Sequence, residues 1–124
     1  RNLMQLTLPI PPSVNHIWKR HGKSTYLSAT YKRWLKELQV CVLVDGVQPV
    51  IGGPLSVDIT IIPGKGWRSN RDLDNVFKPT LDGLCKMGLI VDDNCSVIKQ
   101  ISIGMAAGDG ADARMQVSVK RLEG

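Results

Sequence analysis

Apolar and polar positions repeat in six stretches of the chain. Leu3 to Leu8 alternates with a period of two and stops at Pro9, which predicts a strand. The following Pro9-Ile10-Pro11-Pro12 forbids regular structure. Ser28 is placed to cap a helix in which Tyr31, Trp34, Leu35, Leu38, Cys41 and Val42 recur at helical spacing, with Lys32, Arg33, Lys36 and Glu37 on the other face. Leu55, Val57, Ile59 and Ile61 then alternate with Ser56, Asp58 and Thr60 as a half-buried strand. A second helix, capped by Asp74 or Asn75, is expected to run to about Met87, with Val76, Phe77, Leu81 and Leu84 on one stripe and Gly88 just past its end. Pro79 is tolerable there only within or near the first turn, because it lacks an N–H and disfavours helix at Lys78. Val97 to Ile103 and Met115 to Leu122 read as two closing strands, expected to pair as a hairpin.

The order β-α-β-α-β-β predicts an α+β fold with two helices packed on one mixed sheet. No internal repeat or linker interrupts it, so residues 1–124 are expected to form a single domain. Between the elements, Asn15 to Tyr26 is basic and broken by Gly22, which suggests an exposed loop or loose hairpin. Pro63 to Asn70 is glycine-rich and basic, and is expected to be mobile.

A hydrophobic fraction of 43% and a charged fraction of 22% fit an ordinary globular protein and exclude a disordered or fibrous one. The longest strongly apolar run, Val40 to Val44, is far short of the roughly 20 residues that cross a bilayer, and no signal-peptide pattern opens the chain. No membrane partner and a cytoplasmic location are expected; the chain opens on Arg1 rather than Met, which leaves a short leader open. Cys41, Cys85 and Cys95 are odd in number and lack CxxC spacing, so they are expected to be reduced and mostly buried rather than bridged or zinc-bound.

Net charge is +5. Four of the eleven acids are Asp72, Asp74, Asp92 and Asp93; setting them aside leaves 16 basic against 7 acidic residues, or +9. A cationic body around one acidic spot suits a polyanion whose phosphates meet a metal pocket. Asp72 and Asp74, two apart in extended chain, would point to one side and share a cation, and a hard ion such as Mg²⁺ takes such oxygens together with phosphate and water. The second helix could carry Asp92-Asp93 back to them, and Lys78, four residues after Asp74, could rise on the same face. Each motif alone is an ordinary cap or turn; their coincidence in a basic chain points to a site. An EF-hand does not fit, since the next ligand position is Val76, and His16 and His21 lie in a loop without a third ligand.

Arg71-Asp72-Leu73-Asp74-Asn75, then Lys78, Leu81-Asp82-Gly83-Leu84 and Val91-Asp92-Asp93 together resemble the signature of the RusA family of Holliday junction resolvases. Leu8-Pro9-Ile10-Pro11-Pro12-Ser13-Val14-Asn15 is similar to that family's opening strand and loop. The resemblance implies a homodimeric endodeoxyribonuclease of DNA recombination and repair that uses Mg²⁺, or Mn²⁺ in its place, to make two symmetric nicks in four-way junction DNA. It places the essential acids and lysine on Asp72, Asp74, Asp93 and Lys78, with Asp92 in support. One or two ions fit the reading. Asn15, Lys19, Arg20, Lys23, Lys65, Trp67, Arg68 and Arg71 are the expected DNA contacts, although the run before Asp72 is less basic than the family can carry. Trp67, exposed by context, either stacks on DNA or folds back on the core. The apolar face of the Tyr31 to Val44 helix is one expected dimer surface. The rival readings are a non-catalytic DNA-binding module and a metal-dependent nucleotide phosphohydrolase, the second disfavoured by the extended basic arm around Lys19 to Lys23.

Overall fold

The computed structural model describes residues 3–13, 18–21, 24–50, 52–91 and 96–122, with backbone alone for 18–21 and 24–26. Strand β1 is Leu3–Pro9, and β2 (Trp18–His21) pairs antiparallel with β3 (Ser24–Leu27). Helix α1 (Ala29–Asp45), β4 (Leu55–Ile62), α2 (Asp74–Lys86), β5 (Ile98–Met105) and β6 (Arg114–Arg121) follow. The α+β class and the helix and strand order hold, with the basic arm formed as the hairpin β2–β3.

The main sheet has the order β1-β6-β4-β5. β6 lies antiparallel between β1 and β4, and β5 runs parallel to β4 at the edge. The expected β5–β6 hairpin is therefore wrong. Helix α2 is the crossover of a β4-α2-β5 unit, which makes β5 parallel to β4 and leaves the centre of the sheet for β6. On the inner face Met4, Leu6 and Leu8, then Met115, Val117 and Val119, then Leu55, Val57, Ile59 and Ile61 are all buried. The intervening Gln5, Thr7, Gln116, Asp58 and Thr60 face solvent, as period-two patterning requires.

Both helices pack on that apolar face. Ser28 Oγ accepts from the Tyr31 N–H at 3.1 Å, the expected cap, and Gly46 closes α1 in the left-handed conformation, φ 63°. Tyr31, Trp34 and Leu38 bury the stripe of α1, while Val40, Leu43 and Val44 stay exposed. Tyr31 and Trp34 stack with ring centroids 5.7 Å apart, and Trp34 Nε1 donates to the Pro9 carbonyl at 2.8 Å. Burial raises the Tyr31 phenol above its ordinary pKa, so it stays protonated and donates to the Pro79 carbonyl at 3.0 Å. Cys41 and Cys85 are in no disulfide and are half-buried; Cys95 lies outside the described residues. No helix among the described residues is long and apolar enough to cross a membrane.

The two helices approach through Gly83. A Cβ built there meets the Trp34 ring at 2.6 Å and Leu38 at 3.1 Å. Because Trp34 is pinned by its hydrogen bond to Pro9, the ring has little room to yield. Gly83→Ala is expected to destabilise the fold by roughly 1–3 kcal/mol despite the better helix propensity of Ala. Urea denaturation checks it: an unchanged or raised midpoint would mean that the helices separate at little cost.

Candidate metal centre and nucleic-acid interface

The segment from Arg71 to Asn75 enters α2 through Leu73, which already has helical angles, φ −68° and ψ −32°. The Asp72 carbonyl accepts from Asn75 N at 3.2 Å and the Leu73 carbonyl from Val76 N at 3.0 Å. Strand alternation thus gives no reason for Asp72 and Asp74 to share a side, contrary to the extended-chain reading. They instead flank the first turn of a helix, both exposed. The N-cap residue Leu73 makes no side-chain capping hydrogen bond, and none from Asp72 or Asp74 is seen among the described residues. The commonest structural use of aspartate at such a position is therefore not taken up, and both carboxylates face solvent with their oxygens open to a cation.

Lys78 forms an i,i+4 ion pair, its Nζ 3.4 Å from Asp82 Oδ1. This pair runs one turn onward along α2. Asp92 and Asp93 lie outside the described residues, but their flanks are fixed. Leu89 accepts from Val50 N at 3.0 Å, and Val97 accepts from Leu55 N, the first residue of β4, at 2.7 Å. Both anchors lie where α2 ends and β4 begins. Thirteen residues of helix rise about 18 Å, so α2 carries the chain away from Asp74 before the second acidic stretch begins. Among the described residues no three histidine, cysteine or carboxylate side chains gather to hold a metal.

Arg71 has a different role from the surface contact expected of it. Its Nη2 donates to the Pro11 carbonyl at 2.7 Å and, weakly, to the Asn75 carbonyl at 3.5 Å. The Asn75 carbonyl is the one that residue 79 would bond in an ordinary helix, and Pro79 has no N–H to offer. This is how a proline beyond the first turn is tolerated. The guanidinium also lies 5.8 Å from the centre of the Trp67 ring. Trp67 is half-buried and packed against the core, so its folded-back reading holds and the exposed one does not. Burial lowers the Arg71 pKa, and its Nε is enclosed without a partner.

The loop before Arg71 is tethered rather than loose. Lys65 N donates to Ala111 at 3.3 Å and Ala113 N donates back to Lys65 at 3.0 Å. Gly64 is needed here, because a Cβ would sit 2.0 Å from the Ala111 carbonyl oxygen. A groove of about 650 Å³ opens between this loop, the run Pro9 to Pro12 and α1, lined by Arg33, Lys65 and Arg71 together with Glu37 and Asp112. Arg33 had seemed only part of a solvated helix face; its helical spacing showed that it points outward, but not toward what. Lys65 and Arg68 are exposed as expected. Lys19 and Arg20 fall on β2, with side chains outside the described residues, and Asn15 and Lys23 lie outside them altogether.

A family model described as Endodeoxyribonuclease RusA matches residues 9–120. The crossover junction endodeoxyribonuclease rusA of Enterobacteria phage HK97 is 33% identical over 92 residues, 74% of this chain and 75% of that protein. That of Enterobacteria phage 82 is 34% identical over the same shares. The crossover junction endodeoxyribonuclease RusA of Escherichia coli strain K12 is 33% identical, again over 74% of this chain and 75% of its own length.

Arg71 and Arg68, three residues apart, should therefore fail differently. Arg71→Ala strands two carbonyls and is expected to cost about 2 kcal/mol of stability, lowering the melting temperature. Arg68→Ala should leave melting unchanged and reduce the salt dependence of DNA binding by about one phosphate contact. Thermal melts and a salt titration of binding check the pair; equal melting temperatures would refute the structural role of Arg71.

Proposed function

The chain belongs to the RusA family of endodeoxyribonucleases, and from that premise we propose that it resolves four-way DNA junctions in recombination and repair by paired, metal-dependent phosphodiester hydrolysis. One observation carries the reading: two uncapped, exposed carboxylates at the start of α2 adjoin a cation-lined groove whose wall is held by Arg71.

The donor chemistry fits a hard divalent cation in part. Asp72 and Asp74 offer oxygens, and Mg²⁺ is commonly held by one or two carboxylates with water and phosphate completing its shell. Asp93, supported by Asp92, is the further donor, and Mn²⁺ suits the same oxygens. When bound, such an ion supplies an activated water and charge neutralisation at the phosphate. Hydrolysis then needs in-line attack of water on phosphorus, a base for its proton and charge relief for the departing 3′ oxygen. Asp74 is the carboxylate we assign to take the proton. Lys78 can relieve the leaving charge after turning from Asp82, with which it is paired. Lys65, Arg68 and Arg33, with Asn15, Lys19, Arg20 and Lys23 of the hairpin arm, are the phosphate contacts that hold the junction.

A junction with two equivalent scissile phosphates is matched by a two-fold protein, so the working form is a homodimer.

With Mg²⁺, the protein is expected to place paired nicks in a synthetic four-way junction and to leave a linear duplex intact. Asp74→Asn should reduce cutting by roughly 10²-fold or more while junction binding is kept or tightened, since one repelling charge is gone. Binding without nicking by the unsubstituted chain would assign a DNA-binding module instead. Hydrolysis of free nucleotides would assign a phosphohydrolase.

A further inference from the structure

Strand β5 is an edge that lacks the usual protections. Among the described residues it pairs on one side only, with β4. Native edges are normally shielded by charge, proline, a bulge or a covering segment. From Ile101 to Met105 there is neither charge nor proline, and the register irregularity lies earlier, opposite Leu55 and Ser56. Ile101 is 43% and Met105 48% exposed, with Ile103 half-buried between them.

The backbone fixes which residues can pair outward. Ala106 N donates to the Ile61 carbonyl at 2.8 Å, so residue 106 and its even-numbered predecessors turn their hydrogen-bonding groups toward β4. In a parallel ladder alternate residues turn away, so Ile101, Ile103 and Met105 present their N–H and C=O to the open edge. These three share the inner side of the sheet with Val57, Ile59 and Ile61, their register partners. The same residues therefore carry both the free backbone groups and the uncovered apolar side chains.

We propose that the free edge of β5 is where two copies of this chain join, as antiparallel neighbours in one eight-stranded sheet. This rests on the homodimer reading above and says which surface makes it. A two-fold axis perpendicular to the sheet through Ile103 sets Ile103 opposite its counterpart and Ile101 opposite Met105, in three hydrogen-bonded pairs on one apolar ladder. Charge agrees with that register. The strand's one cation, Lys99, lands beside Ala107 of the other copy, in the uncharged stretch Ala106-Ala107-Gly108. The two lysines are thereby kept at opposite ends. A stable dimer buries roughly 800 Å² on each partner, more than a strand edge supplies. Side chains beside the edge add to that area, with Ile101 43% and Met105 48% exposed and Ile103 half-buried between them.

The full chain at micromolar concentration is expected to sediment as a dimer. Ile103→Lys, which opposes two ammonium groups across the axis, should weaken it at least tenfold while the circular dichroism spectrum is retained. Ile103→Cys should give a covalent dimer on mild oxidation, because paired residues about 5.5 Å apart at Cα are within disulfide reach. Ile101→Cys alone should not rise above the background set by the unsubstituted chain, and an equimolar mixture of Ile101→Cys and Met105→Cys should. A dimer that survives Ile103→Lys and gives no such cross-links overturns the proposal but leaves the homodimer reading intact. A monomeric chain overturns both and leaves the edge to a strand of another protein, while junction nicking decides the nuclease reading separately.

Discussion

A proline in the sixth position of α2 leaves a helical carbonyl without its donor, and the way that defect is met organises the functional end of the molecule. Arg71 reaches to that carbonyl and, more strongly, to the Pro11 carbonyl of the loop after β1. One side chain thereby joins two segments sixty residues apart. Partial burial of a guanidinium costs free energy, seen in its lowered pKa, and its hydrogen bonds to the Pro11 and Asn75 carbonyls offset that cost. Its enclosed Nε, lacking a partner, shows that the arrangement is not fully satisfied. The consequence is positional. Asp72 and Asp74 follow directly from a residue whose head group is held at both sides, so the carboxylates stand on a fixed turn rather than on a free loop. Preorganisation of this kind is what a metal-assisted phosphate reaction requires of its scaffold.

The β4-α2-β5 crossover imposes a second constraint that competes with the first. A parallel neighbour needs a connection that returns along the sheet, and a helix does this by ending where the first strand began. Residues before α2 and residues after it are consequently driven to opposite ends. The described ends of the connection show this, for Val50 N donates to the Leu89 carbonyl after α2 and Leu55 N to the Val97 carbonyl before β5, both beside the start of β4.

The local elements were legible because their causes are local. Alternation along β1 and β4, the Ser28 cap and the Tyr31-Trp34-Leu38 stripe need no distant partner to be read, and each occurs where its pattern placed it. The insertion of β6 between β1 and β4 was not legible. Leu3 meeting Lys120 depends on a pairing more than a hundred residues apart, and a strand's own sequence does not name its neighbour. Side-chain contacts at the site were not legible for a similar reason. Trp67, Arg71 and Lys78 are all in the segment singled out, yet the first packs on the core, the second bridges to Pro11 and the third leans toward Asp82. Sequence located the acidic and basic groups but left unspecified which were used up by the fold.

That distinction also decides from which side a polyanion can approach. The outer face of the sheet carries the register rows Gln5-Ser118-Asp58-Ser102 and Thr7-Gln116-Thr60-Gly104. Neither row holds a cation, and in the first Ser102 Oγ donates to Asp58 Oδ1 at 2.5 Å, leaving a carboxylate in the middle of the face. Arg114 sits beyond the second row but is held by Asp109, whose pKa the pairing lowers to about 2. Its charge is thus matched at any ordinary pH. Arg33, Lys65 and Arg68 gather instead around the groove and loop beside the carboxylate turn. A formal charge of +5 spread over the whole surface would give weak attraction everywhere. The outer face keeps one exposed cation without an ion pair among the described residues, Lys120 in the row Leu3-Lys120-Ser56-Gln100, whereas Arg33 and Lys65 share one groove with Arg71, so the described cations favour approach from the groove side.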